Sequence, residues 1–128
     1  MNKKGFTLIE ILIVIAILAI LTMIAIPNIL RVRMLANDAI AQTTLKTISK
    51  AIEQFLINNS TYPASVDELT TATPPYLNQN YFVGTRAGFT YSSTLTPGTY
   101  SIVATPVSVG QSGTTIFTVT TGGVLQGD

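Results

Sequence analysis

Lys3-Lys4-Gly5-Phe6-Thr7-Leu8-Ile9-Glu10 runs straight into an apolar stretch that ends at Pro27. From Ile11 to Ile26 every residue is apolar except Thr22. Counted from Phe6, the stretch is about 22 residues, or roughly 33 Å as a helix. That length crosses a hydrocarbon core of about 30 Å. One carboxylate, Glu10, stands inside it. A charged side chain within a membrane span costs roughly 2.5–3.5 kcal/mol on insertion scales, so a lone one marks function by default.

The flanks set the orientation. Lys3 and Lys4 favour a cytoplasmic N-terminus, with the remainder of the chain sent outward. Arg31 and Arg33 on the opposite flank weigh against this, but the short N-terminal tail carries no acid. A secretory signal peptide would have an apolar region of about 7–15 residues ending at a small-x-small site. This run is longer, carries an acid near its start and meets Pro27-Asn28 instead. A plain signal anchor fits the length but gives Glu10 no purpose beyond snorkelling to water at the membrane edge.

Composition narrows the remaining choices. The 128 residues hold one domain plus an anchor. Only 10% are charged, against about 25% in ordinary globular domains, and much of the 47% hydrophobic content lies in the first thirty residues. The remainder is rich in Thr, Ser, Asn, Gln and Gly, which suits an extracytoplasmic domain. A formal charge of +1 offers no basic footprint for nucleic acid. Without Lys3 and Lys4 the chain would carry five basic and six acidic side chains and be nearly neutral. The absence of Cys excludes disulfides and thiolate metal sites, and the absence of His removes the commonest general base. The carboxylates are scattered at Glu10, Asp38, Glu53, Asp67, Glu68 and Asp128, and no Gly-rich phosphate loop occurs. An enzyme is hard to build from this inventory, and no cofactor is implied.

Beyond Pro27, Ala41, Leu45, Ile48, Ile52 and Phe55 recur at steps of four and three, one face of a helix ending near Asn58-Asn59. Gln42, Lys46, Ser49, Lys50, Glu53 and Gln54 fill the other positions. Asn59-Ser60-Thr61-Tyr62-Pro63 reads as a strong break; its overlapping Asn-x-Ser/Thr tripeptides are turn chemistry before they are glycosylation sites. Ser65-Val66-Asp67-Glu68 fits a capping box opening a short helix to about Thr71, which also accounts for the adjacent acids. Strands are expected at Phe89–Ser92, at Thr99–Thr105 with Tyr100, Ile102 and Ala104 on one face, and at Thr114–Thr120. Gly122-Gly123 then turns into Val124-Leu125. Phe117, Val119 and Val124 are expected as core and hairpin contacts, and Gly110–Thr115 as a surface contact or linker. The fold class is α+β: a long N-terminal α-helix, membrane-spanning in its first half and amphipathic in its second, packed on a small antiparallel β-sheet.

The segment Gly5-Phe6-Thr7-Leu8-Ile9-Glu10, with Pro27 at its set distance, resembles the processing motif of type IV prepilins and of type II secretion pseudopilins. The likeness covers about the first thirty residues in register; Tyr62-Pro63 with the following acidic turn and Leu69 resembles the family's helix-to-sheet connector. It implies a leader peptide 1–5, a hydrophobic transmembrane and assembly helix 6–27, an amphipathic half 28–58, a connector 59–80 and a sheet 81–128. It implies cleavage between Gly5 and Phe6 by a prepilin peptidase that also methylates the Phe6 amine. Glu10 would then pair with the N-terminal amine of a neighbouring subunit, and Pro27 would kink the helix. Ala19 stands where many relatives carry Gly, and Ala favours helix by roughly 1 kcal/mol, so melting between Ala19 and Pro27 is not expected to follow the family pattern.

The function implied is that of a type IV pilus-like filament subunit. It would be stored in the bacterial inner membrane and assembled with copies of itself by a platform with a separate ATPase motor, reaching the cell surface or a periplasmic filament. A pseudopilin of type II secretion is the near alternative. Against its major form stand the single C-terminal acid, Asp128, where a calcium loop needs several, and a missing aromatic Asp-Pro signature. The missing cysteines exclude the disulfide that closes the C-terminal loop of many pilins. A membrane-tethered binding module is the alternative of a different class.

Overall fold

A computed structural model describes residues 2–128. The chain forms two compact units, one ending at Val32 and the other Arg33–Asp128. Helix α1, Leu8–Asn59, has 52 residues and includes Pro27. Its backbone is helical through 19–27. Thr22 donates its hydroxyl to the Ala19 carbonyl at 2.8 Å. The helix ends where the Asn-Asn-Ser run begins to punctuate the chain. Ser60 adopts a left-handed φ of 63° and donates its N–H to the Leu56 carbonyl at 2.7 Å, while the Asn59 amide takes the Phe55 carbonyl. These contacts satisfy carbonyls that a helix end otherwise leaves bare.

In the second unit the stripe read from the sequence is the core. Ala41, Leu45, Ile48 and Ile52 are fully buried, and Phe55 packs against them. Each buried Leu or Ile contributes about 1.5–3 kcal/mol. A four-stranded antiparallel meander, β1 Phe89–Leu95, β2 Tyr100–Pro106, β3 Phe117–Thr120 and β4 Val124–Gly127, supplies the other wall in the order β1-β2-β3-β4. Every second residue of β2, from Tyr100 to Pro106, is buried. Leu69 from α2, Asp67–Thr71, closes one end of the core.

Four expectations are corrected. The short helix is present, but Ser65 does not cap it: Val66 is the N-cap residue and makes no side-chain capping bond. Glu68 instead accepts the Ala64 N–H at 3.3 Å. The third strand begins at Phe117 rather than Thr114: the N–H and hydroxyl of Thr114 are both taken by Asp38, so that N–H is not free for a ladder. Val124 is half exposed; the register opposes Val119 to Leu125, so Leu125 is the residue that packs inward. Ser49 and Glu53, expected among the polar positions that complete the amphipathic helix, do not simply face water: Ser49 is buried and Glu53 is drawn into the helix–sheet seam.

Candidate functional site

Residues 2–7 have no regular structure and are exposed. Gly5 has open space around it, and Phe6 is 85% exposed. The Gly5–Phe6 peptide bond thus lies in accessible, non-helical chain just ahead of α1. Thr7 and Glu10 are brought together at the helix start. Glu10 donates its N–H to Thr7 Oγ1 at 3.3 Å, and its Oε2 accepts the Thr7 N–H at 2.7 Å. This is a reciprocal capping box, in which two otherwise bare donors are satisfied and a negative charge sits at the positive end of the helix dipole. Its signal in the sequence is Thr7 followed three residues on by Glu10 ahead of an apolar run.

Behind the cap, the helix offers its apolar side chains to the surroundings. Ile11 to Leu18 are about half exposed, and Met23 and Ile24 more than 70%. The most apolar 18-residue window of α1 has a mean hydropathy of 3.0 and no buried residue. Exposed apolar surface on this scale is foreign to a soluble monomer and calls for lipid or for protein around it. Pro27 lacks an N–H, so the Met23 carbonyl one turn earlier loses its helical donor.

Polar anchors, not catalytic groups, dominate the second unit. Glu53 accepts the Tyr100 hydroxyl at 3.0 Å, the Gly122 N–H at 3.0 Å and the Tyr62 hydroxyl at 3.3 Å. Tyr100 also shares a 2.8 Å bond with Ser49 and accepts the Gly123 N–H at 3.1 Å. Burial pushes the Tyr100 phenol up to about 12; the Ser49 hydroxyl opposes the rise and the Glu53 charge adds to it. Burial, then the same carboxylate, raises Tyr62 as well. Asp38, 6% exposed, holds Thr114 through both its N–H and its hydroxyl, at 3.0 and 2.6 Å, and Asn37 donates to the Ser112 carbonyl at 2.8 Å. Gly113 has no room for a Cβ, which would strike the Phe89 ring and the Asp38 carboxylate. The Gly110–Thr115 loop is therefore fastened to α1 by side-chain hydrogen bonds. An open groove of about 670 Å³ beside Pro74-Pro75 is lined by exposed Thr47, Lys50, Gln54 and Asn58. It holds no acid–base pair.

Residues 1–26 match the family model described as the prokaryotic N-terminal methylation motif. The chain is 48% identical over 64 residues to the type IV wide pilus major component PilA4 of Thermus thermophilus, covering 50% of this chain and 49% of that protein. It is 35% identical over 87 residues to the type IV major pilin protein PilA of Myxococcus xanthus, covering 68% of this chain and 40% of that one. The type II secretion system core protein G of Vibrio cholerae is 33% identical over 64 residues, 50% of this chain and 44% of the relative. The chain thus spans half or less of the length of these three relatives, which are named as a pilus major component, a major pilin and a secretion-system core protein.

Proposed function

We propose that a chain with this methylation motif and these pilin and pseudopilin relatives is a structural subunit of a type IV pilus-like filament, held in a membrane before assembly. The observation that carries the reading is the fusion of Gly5-Phe6-Thr7-Leu8-Ile9-Glu10 to a helix whose first unit is apolar and exposed on every side. A prepilin peptidase cuts the accessible Gly5–Phe6 bond and methylates the Phe6 amine. Lys3 and Lys4 keep the leader in the cytoplasm, and the inner membrane stores the helix. Assembly then moves α1 from lipid to a bundle of other α1 helices. Lipid tails are as apolar as those helices, so the transfer gains little from apolar burial, and direction comes from packing and polar pairing. Glu10 Oε2 stays with the cap of its own helix, and Oε1 receives the amine of a neighbouring subunit. The assembly platform and its ATPase supply the work.

The test is N-terminal peptide mass spectrometry of sheared and membrane fractions from native cells. A chain beginning at N-methylated Phe6 in the sheared fraction is the expected result. The same peptide confined to membranes would favour the pseudopilin reading, for which the core protein G relatives speak. An intact Met1 in both fractions would leave a tethered binding module.

A further inference from the structure

Both outer edges of the sheet are open among the described residues, and their unpaired groups match each other. In an antiparallel ladder successive residues turn their N–H and C=O alternately toward one neighbouring strand and the other. The Thr96 N–H donates to the Thr99 carbonyl and the Val107 N–H to the Gly88 carbonyl, both at 2.9 Å. With the β1/β2 register these bonds make Thr90/Thr105, Ser92/Val103 and Thr94/Ser101 the bonded pairs. Tyr91, Ser93 and Leu95 therefore aim their backbone groups outward, while those of Phe89 are taken by Arg86. At the far edge the Asp128 N–H donates to the Ile116 carbonyl at 3.0 Å, which by the β3/β4 register leaves Leu125 and Gly127 facing outward. Natural edges are usually blunted by a charge, a proline or a bulge. Phe-Thr-Tyr-Ser-Ser-Thr-Leu in β1 and Val-Leu-Gln-Gly in β4 carry neither charge nor proline.

We propose that β4 of one copy adds to β1 of the next, so that one antiparallel sheet continues from subunit to subunit; this rests on the filament reading. Three features of the topology fit. A meander of four strands leaves β1 and β4 running in opposite directions, so a copy in the same orientation presents its β1 antiparallel to this β4. The outward residues at both edges share the helix-facing side: Tyr91 is buried there, and Leu125 lies opposite buried Val119. Directly opposed residues share a face, so the joint keeps α1 on the same side in every copy, whereas a slip of one residue would invert it. The two edges differ, which makes the contact heterologous and open-ended, as a filament needs. Four strands at about 4.8 Å space successive copies by roughly 19 Å, which leaves room for helices about 10–12 Å across.

The register gives the test. Pairing Leu125 with Ser93 places Gln126 opposite Ser92 in a non-bonded pair, where side chains approach most closely; a shift of two places it opposite Thr94. The chain has no cysteine, so background cross-linking within it is nil. S92C/Q126C and T94C/Q126C, each expressed as the only copy of the full chain, are sheared as filaments and treated with a mild oxidant. One of them should give a ladder of disulfide-linked multimers on a non-reducing gel, and the single variants none. Filaments of both doubles that remain monomeric would overturn the proposal, as would dimers from S92C alone, which indicate β1 pairing with β1. As a variant free of cysteines, S93P removes one outward N–H and leaves the β2 ladder intact. It should lower filament yield by roughly tenfold at unchanged membrane level, and full yield would count against the joint. If the unsubstituted chain yields no sheared filaments, the filament reading falls, and this inference with it.

Discussion

Glu10 has two oxygens and two different demands on them. Oε2 completes the capping box with Thr7, a contact of a kind that stabilises a helix by about 1 kcal/mol. A cap of that size does not account for a carboxylate kept in an apolar segment, since an amide oxygen would accept the same N–H without carrying a charge. The substitution Glu10→Gln separates the demands: it keeps an acceptor for Thr7 and removes the charge. We expect the Gln variant to accumulate in the membrane at wild-type level and to lose filament yield as fully as Glu10→Ala. Sheared-filament yield against membrane content checks this. Normal filaments from Gln together with failure of Ala would assign the residue to capping alone. At the other end of the segment Ala19 agrees with a helix that stays intact to Pro27 in the isolated chain.

At the scale of elements, the Glu53 node ties α1 to β2, to the β3–β4 turn and to the Tyr62 connector, and it gives the second unit a pH dependence. The Tyr100 phenol titrates near 12 in the folded chain against an ordinary 10.0, so the fold favours the neutral form. Unfolded chains give up that proton first. The stabilisation is therefore complete below about pH 10 and is lost as pH rises through 12, with Tyr62 and Tyr91 shifted in the same direction. Full-length protein in detergent should lose its sheet signal by circular dichroism in that window, in step with late tyrosinate absorbance. Stability that stays flat there would break the link between burial and this node. Periodicity made the helix and the faces of β2 legible, because apolar residues at fixed steps have one cheap arrangement. Ser49 and Glu53 escaped the same reading, since a polar residue on a helix is assigned to water unless its partners are known. Those partners, Tyr100 and Gly122, lie 47 and more residues away in sequence. The start of β3 was hidden for a like reason: Asp38 takes Thr114 from 76 residues away.

On the scale of the whole molecule, the filament reading has the two units solvated differently, with the proposed leader deciding which solvent the first can enter. On the proposed reading, Phe6 to Pro27 can rest in lipid with Lys3 and Lys4 attached, because both ammonium groups would stay in water at the membrane face. A filament interior offers no such exit. An ion moved there without a partner carries a penalty of several kcal/mol, and two adjacent like charges repel as well. On the proposed reading, cleavage after Gly5 would remove both charges and leave one amine for Glu10, changing the segment from one that lipid retains to one that protein accepts. A Cβ added at Gly5 meets nothing within 4 Å, so a larger side chain there does not disturb the fold; on the proposed reading it would obstruct only an enzyme that must close around the bond. Gly5→Leu should therefore leave a full-length precursor in the membrane, with Lys3 and Lys4 present by mass spectrometry, an unaltered alkaline transition and no sheared filaments. Recovery of uncleaved chains in filaments of normal yield would show that the interior tolerates the leader, and the electrostatic account of processing would have to be given up.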